Sequence, residues 1–261
     1  MSRIGRAGPK LYASALAGLG LLQLVIGDFL AGLIPVPAAL PLRLYWVYVS
    51  SAIFLLAAAG IFSRRWRHQA AMLSAGLFFV FFLFLHLPKL LGELYNPNEW
   101  SAAFETLIVG SGGVMIALSV PGELRWQRSA IVMEMAGLYL FAMSLVVFGV
   151  LHIRYNGYIQ TLIPSWLPAH VGLSYLVIAG FLLSALSLLT NLKASLASCL
   201  LGMMFLSWVL LLHAPRVFMR PTVESEWTGL FVAAAVSGIG FSLMKARSYT
   251  DRKSPLSGAF S

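Results

Sequence analysis

Phe84-Leu85-His86-Leu87-Pro88-Lys89 recurs in the second half of the chain as Leu211-Leu212-His213-Ala214-Pro215-Arg216, an offset of 127. Each copy closes a long apolar run. At the same offset Glu99-Trp100-Ser101 pairs with Glu226-Trp227-Thr228, and Phe104 with Phe231. Upstream, Leu33-Ile34-Pro35 matches Leu162-Ile163-Pro164 at an offset of 129, so the spacing differs by two residues between the copies. Self-similarity at a fixed long period is the mark of a repeated architecture. Each copy holds four apolar runs of spanning length, and an even number sends both copies into the membrane in the same direction. The pattern predicts an all-α polytopic fold of eight transmembrane helices, built as two parallel four-helix repeats, 1–122 and 123–261. Equivalent residues then lie at similar depth.

Roughly 20 apolar helical residues cross a bilayer core. Runs of that size occupy 11–33, 43–62, 70–88, 101–120, 129–151, 170–190, 194–213 and 227–244. The composition agrees: 59% of the 261 residues are hydrophobic and 10% charged, against about 25% charged in a soluble domain. A water-soluble fold is thereby excluded. The net charge of +9, from 18 Lys+Arg and 9 Asp+Glu, would invite a nucleic-acid reading if the cations formed one patch. They instead form short clusters between apolar runs. Thirteen fall in the N-terminus (Arg3, Arg6, Lys10), alternate loops (Arg64, Arg65, Arg67, Arg125, Arg128, Lys193) and the tail (Lys245, Arg247, Arg252, Lys253). Five fall in the other loops (Arg43, Lys89, Arg154, Arg216, Arg220). The more basic loops stay cytoplasmic, which predicts a multi-pass protein of the bacterial inner membrane with both termini and a basic tail inside. Topology accounts for the charge, and nucleic-acid binding has no part in it. The single cysteine, Cys199, excludes an internal disulfide, a CxxC motif and thiolate-held zinc or iron–sulfur centres. Redox chemistry would have to come from a bound cofactor.

The Ile-Pro-Ser-Trp-Leu-Pro segment from Ile163 to Pro168 precedes a span rich in Gly and Ala, a short basic turn and another apolar span. This order resembles the DoxX/DoxD-like superfamily of four-helix membrane proteins. The likeness covers each half and is clearest in the second. It implies a four-helix fold. It also implies an association with quinone-linked oxidation of sulfur compounds or with oxidative-stress complexes. It carries no catalytic motif onto this chain. The departure is that two units are fused here where the typical member has one.

Ionisable groups inside a membrane are costly and therefore candidates for function. Asp28 and Glu105 fall in the outer half, as do His86, His152, His170 and His213; only His68 is cytoplasmic. The repeat places His86 and His213 at matched depth. Each stands three residues before a cation and thirteen before a Glu-Trp pair. In one reading the two imidazoles ligate a haem or donate to a quinone carbonyl, Trp100 and Trp227 cover the ring, and Glu99 and Glu226 take protons. In the other, a histidine before Pro satisfies free carbonyls at a helix end, Trp and Lys/Arg anchor the interface, and Glu favours a helix N-terminus. Asp28 and Glu105 form a proton or ion path with His86, or else pair with Lys89, Arg43 or a backbone donor. Glu134 is expected to pair with Arg125 or Arg128. The Gly-Ser-Gly-Gly stretch at 110–113 and Ser-Gly-Ile-Gly at 237–240 lie inside apolar spans and read as close helix packing. No metal-site spacing occurs, and no Ser-His-Asp, HExxH or Walker pattern. The reading is a membrane component of a redox or quinone-linked system. It meets the lipid bilayer, with a quinone or small hydrophobic ligand and a periplasmic redox protein as partners on the outer side. A small-solute or ion transporter and a non-catalytic scaffold are the alternatives.

Overall fold

The computed structural model describes residues 3–63, 65–119 and 128–251. Arg64, Arg125, Arg252, Lys253 and the expected repeat boundary at 122/123 lie outside the described residues. The chain is a multi-pass membrane protein with eight long apolar helices among those residues. They are α1 (Gly5–Ile26), α2 (Arg43–Phe62), α3 (Arg67–Gly92), α4 (Pro97–Leu118), α5 (Arg128–Arg154), α6 (His170–Thr190), α7 (Ala194–Met219) and α8 (Glu224–Met244). A short helix, Asn156–Leu162, lies between α5 and α6. With eight crossings, the start of α1 and the end of α8 share one end of the bundle, called the near end below; the opposite end is the far end.

Three of the helix ends that differ from the sequence expectation have a local cause. The first span stops at Ile26 rather than 33, because Gly27 takes φ +71° and its N–H closes on the Gln23 carbonyl; glycine adopts that left-handed turn without a Cβ clash. The third and seventh spans do not end at their His-x-Pro but run on to Gly92 and Met219. A proline inside a helix lacks an N–H and collides with the carbonyl four residues back. Here the helix widens just before each proline into a five-residue π turn, Phe82–His86 and Val209–His213. The Leu87 N–H reaches the Phe82 carbonyl and the Ala214 N–H the Val209 carbonyl, so Pro88 and Pro215 are accommodated and the helix continues.

Consecutive helices pack side by side, α1 packs on α8 to close a ring, and α4 and α8 also meet across the middle. These two are the most enclosed, with 83% and 72% of their spans buried against 22–44% for the other six. Small residues make this approach possible, as expected for 110–113 and 237–240. A Cβ on Gly112 would lie 2.1 Å from Ile239 Cδ1, and one on Gly238 would lie 2.6 Å from the Tyr12 amide nitrogen. Without a hydrophobic driving force between helices in lipid, such contact and buried hydrogen bonds hold a bundle together. Tyr12 supplies one polar tie, its hydroxyl donating to the Val109 carbonyl (3.3 Å) and lying 3.2 Å from Ser74 Oγ. Gln23 supplies another, its amide donating to the Val47 carbonyl at 3.0 Å. Within the 78–82 aromatic run, Phe78 and Phe81 pack with Phe54 in the core, while Val80 faces outward.

Candidate functional site

The far end is built from two corners, one between α3 and α4 and one between α7 and α8. In the first, Asn96 caps α4 by accepting from the Asn98 N–H, and Pro97 occupies the first turn, where its missing N–H is harmless. This places Glu99 next to the end of α3, where Lys89 Nζ meets it at 2.8 Å. The Trp100 indole donates to the Leu94 carbonyl at 2.8 Å, and its ring stacks on Phe104 at 5.8 Å and 9°. In the second corner the Trp227 indole donates to the Pro221 carbonyl at 2.9 Å and stacks on Phe231 at 6.0 Å. Glu226, however, pairs with Arg220. Arg216, at the Lys89 position, donates instead to the Leu162 carbonyl at 2.7 Å.

The two histidines differ more sharply. His86 is 1% exposed, and its Nε2 lies 3.0 Å from the Leu33 carbonyl and 2.9 Å from Thr106 Oγ1. A carbonyl only accepts, so Nε2 carries the proton in the bond to Leu33. His86 therefore fastens the α1–α2 loop to α3 and α4. His213 is half-buried and makes no hydrogen bond among the described residues. Its ring fills the space left by Gly229, where a Cβ would stand 2.8 Å from the imidazole Cε1. In the register that pairs His86 with His213, Gly229 and Ala233 take the places of Ala102 and Thr106, so the second corner lacks the hydroxyl that meets His86. Leu162, the counterpart of Leu33, is held by Arg216 in place of an imidazole.

The structure thus brings Glu99 to Lys89 and each tryptophan to its own loop, but it joins His86 to no second histidine. The Nε2 that a haem iron would need is committed on His86, and no group of three or more His, Cys, Asp or Glu converges among the described residues. Asp28 and Glu105 are not bonded to each other or to His86. Asp28 receives the Arg43 guanidinium at 2.7 Å, and Arg43 also donates to the Val36 and Pro37 carbonyls. The hydrogen bond from Arg43 holds the Asp28 carboxyl below the usual carboxylate range. Glu105 and Glu134 have no ion pair among the described residues; Glu105 lies one position before Thr106 in α4. Within α4, Gly112 packs directly against Ile239 of α8.

Two features go beyond the sequence reading, which placed His152 in the outer half without naming its partners. His152 Nδ1 donates to the Phe148 carbonyl at 2.8 Å, and the ring stands edge-on to Phe181 (5.1 Å) and near-parallel to Trp208 (6.4 Å, 16°). In the register that pairs Leu33 with Leu162, His152 takes the place of the buried Gln23, so extending the alignment of the halves would have singled it out. A cavity of about 590 Å³ opens between the far ends of α1 and α8, lined by Leu22, Ile26, Pro221, Glu224, Trp227 and Phe231. Of the six residues in the His-Glu-Trp constellation, Trp227 alone is among its lining residues. No protein-family model, curated protein or solved structure matches this chain.

Proposed function

We propose that this multi-pass membrane protein is a DoxX-like component of a redox or quinone-linked system, formed by two fused four-helix units, with its ligand site on the outer side. Several paired features support the two-unit reading. Both π turns end in the His of His-x-Pro, the residues preceding α2 and α6 share a left-handed backbone (Leu42 φ 54°, Ala169 φ 57°), and each indole binds a carbonyl six residues back. The near end carries Arg65, Arg67, Arg128 and Lys193, which supports placing it, with both termini, in the cytoplasm of a bacterial cell. The far end then faces the periplasm, where a redox partner protein meets it.

The observation that carries the ligand reading is the cavity between α1 and α8. Its walls are aliphatic, and the stacked Trp227–Phe231 pair presents an aromatic surface on which a quinone ring can lie. Glu224, on its rim, bonds Thr228 and keeps a second carboxylate oxygen for a quinol hydroxyl. The test is equilibrium dialysis of a short-tailed quinone against purified protein. Trp227→Ala should weaken binding roughly two- to ten-fold, the worth of one aromatic contact, while Trp227→Phe, which keeps a ring, should retain most of it. Equal affinity in wild type and Trp227→Ala, with no quinone in an organic extract of the membrane-purified protein, overturns the assignment.

A further inference from the structure

A groove of about 790 Å³ runs between α6 and α7, opening on the surface that faces lipid. Its origin is legible against the first half. There α2 and α3 touch at Gly60, where a Cβ would lie 2.5 Å from Ala70 Cβ. In the register of the two His-x-Pro motifs, Gly60 corresponds to Ser187 and Ala70 to Ala197. A serine side chain does not fit so close an approach. Its hydroxyl turns back to donate to the Leu192 carbonyl, and both Ser187 and Ala197 line an open groove. Further along, the Met204 sulfur seats against Gly180, where a Cβ would stand 2.8 Å away.

The lining on α6 extends from Leu176 to Thr190, about 21 Å of helix rise against roughly 15 Å for half a hydrocarbon core. An extended lipid chain has that length. The near end of the groove is polar: Ser187, Thr190 and Lys193 line it, and Lys193 is exposed with no ion pair among the described residues. One end therefore offers an ammonium at headgroup level and the rest offers Leu183, Leu196, Leu200 and Met203 to a chain. We propose that this groove seats an anionic phospholipid of the near-end leaflet, its phosphate on Lys193 and an acyl chain between α6 and α7. The site is separate from the quinone cavity and does not rest on that reading.

Native mass spectrometry of the full chain, equilibrated with equal phosphatidylglycerol and phosphatidylcholine, reads the bound lipid directly. Wild type should retain phosphatidylglycerol in preference. Lys193→Gln should lower that preference about five-fold, the effect of one cation beside an anionic headgroup. Ala197→Leu, which fills the groove and spares the lysine, should lower retention of both lipids. Arg65→Gln removes an exposed near-end cation stacked on Trp66, away from the groove, and should change nothing. The proposal is overturned by a wild type without headgroup preference, by an Arg65→Gln loss equal to that of Lys193→Gln, by unchanged retention in Ala197→Leu, or by an isoprenoid quinone retained in place of phospholipid.

Discussion

Replacing Gly238 with alanine tests the closure of the ring. The α1–α8 contact is backbone against backbone: a methyl at 238 would stand 2.6 Å from the Tyr12 amide nitrogen and 2.7 Å from the Gly8 carbonyl oxygen, where ordinary contact is 3.4–4 Å. Neither atom is the end of a flexible side chain, so the helices must part. A radial gap of about 0.5–1 Å forfeits roughly a quarter to a half of each atom pair's attraction. In lipid that packing is much of what holds two helices together. Overpacking of this kind costs about 1–3 kcal/mol, and the rigidity of the contacting atoms puts Gly238→Ala toward the upper figure. Gly76 is the control: a Cβ there meets nothing within 4 Å, so Gly76→Ala should stabilise by up to about 1 kcal/mol through helix propensity. Unfolding in one detergent, followed by tryptophan fluorescence, should move the two variants in opposite directions. Gly8 touches Gly238 from the other side, with a Cβ 2.6 Å from its carbonyl oxygen. A methyl there opens the same gap, so the double variant should cost at least about 0.5 kcal/mol less than the sum of the singles. A Gly238→Ala protein as stable as wild type, or strict additivity with Gly8→Ala, would refute the backbone contact between the first and last helices.

The two histidines should separate in the same assay. His86→Ala removes the shorter of the two donors to the Leu33 carbonyl, leaving Thr106 Oγ1 at 3.4 Å, and should cost about 0.5–1.5 kcal/mol, whereas His213→Ala breaks no hydrogen bond among the described residues and should cost clearly less. Ala233→Thr, which places a hydroxyl where Thr106 meets His86, should gain about 0.5–1.5 kcal/mol if the second corner can close as the first does; a loss of stability would show that it cannot. The Asp28–Arg43 clamp sets an acid dependence. Because the folded carboxyl titrates below its unfolded value of about 3.9, its contribution is fully present above that value and is lost as pH falls through the lower folded pKa. Asp28→Asn should therefore narrow the stability difference from wild type as a melting series descends below about pH 4. A constant difference down to the lowest pH would exclude the clamp.

How much of this was readable depended on whether a signal was local. Two spans, 43–62 and 170–190, coincide with α2 and α6 because a loop containing several prolines precedes each and a polar residue opens the helix. The end of α1 was misplaced because Phe29, Leu30, Leu33 and Ile34 are apolar yet lie in a loop buried beneath the far end. Hydropathy reports burial, not conformation, and the overlooked signal was Gly27-Asp28. The His-x-Pro motif was visible, but a proline reads more readily as a stop than as the cause of a widened turn. Partner choice was the least legible. Lys89 and Arg216 occupy the same place in their halves, yet one binds a carboxylate and the other a loop carbonyl. Spacing along one helix fits both outcomes; only the loops packed against it decide.

On the two-unit reading, that exchange of partners separates support from site. The carbonyl of the residue before Ile-Pro is held in both halves, by His86 in one and Arg216 in the other. The glutamate opening α4 or α8 is paired in both, by Lys89 or by Arg220. A contact kept while its donor changes is needed for the corner itself, since leaving a buried carbonyl without a donor costs about 1–3 kcal/mol. Glu99, Glu226 and Trp100 are then accounted for by the corners they hold together. What the exchange releases is the His213 imidazole, and the face of Trp227 opens on a cavity. His213 stands on α7 against Gly229 of α8, whereas Trp227 faces α1 across the cavity, so the proposed ligand site lies between the two units rather than on a symmetric pair of imidazoles.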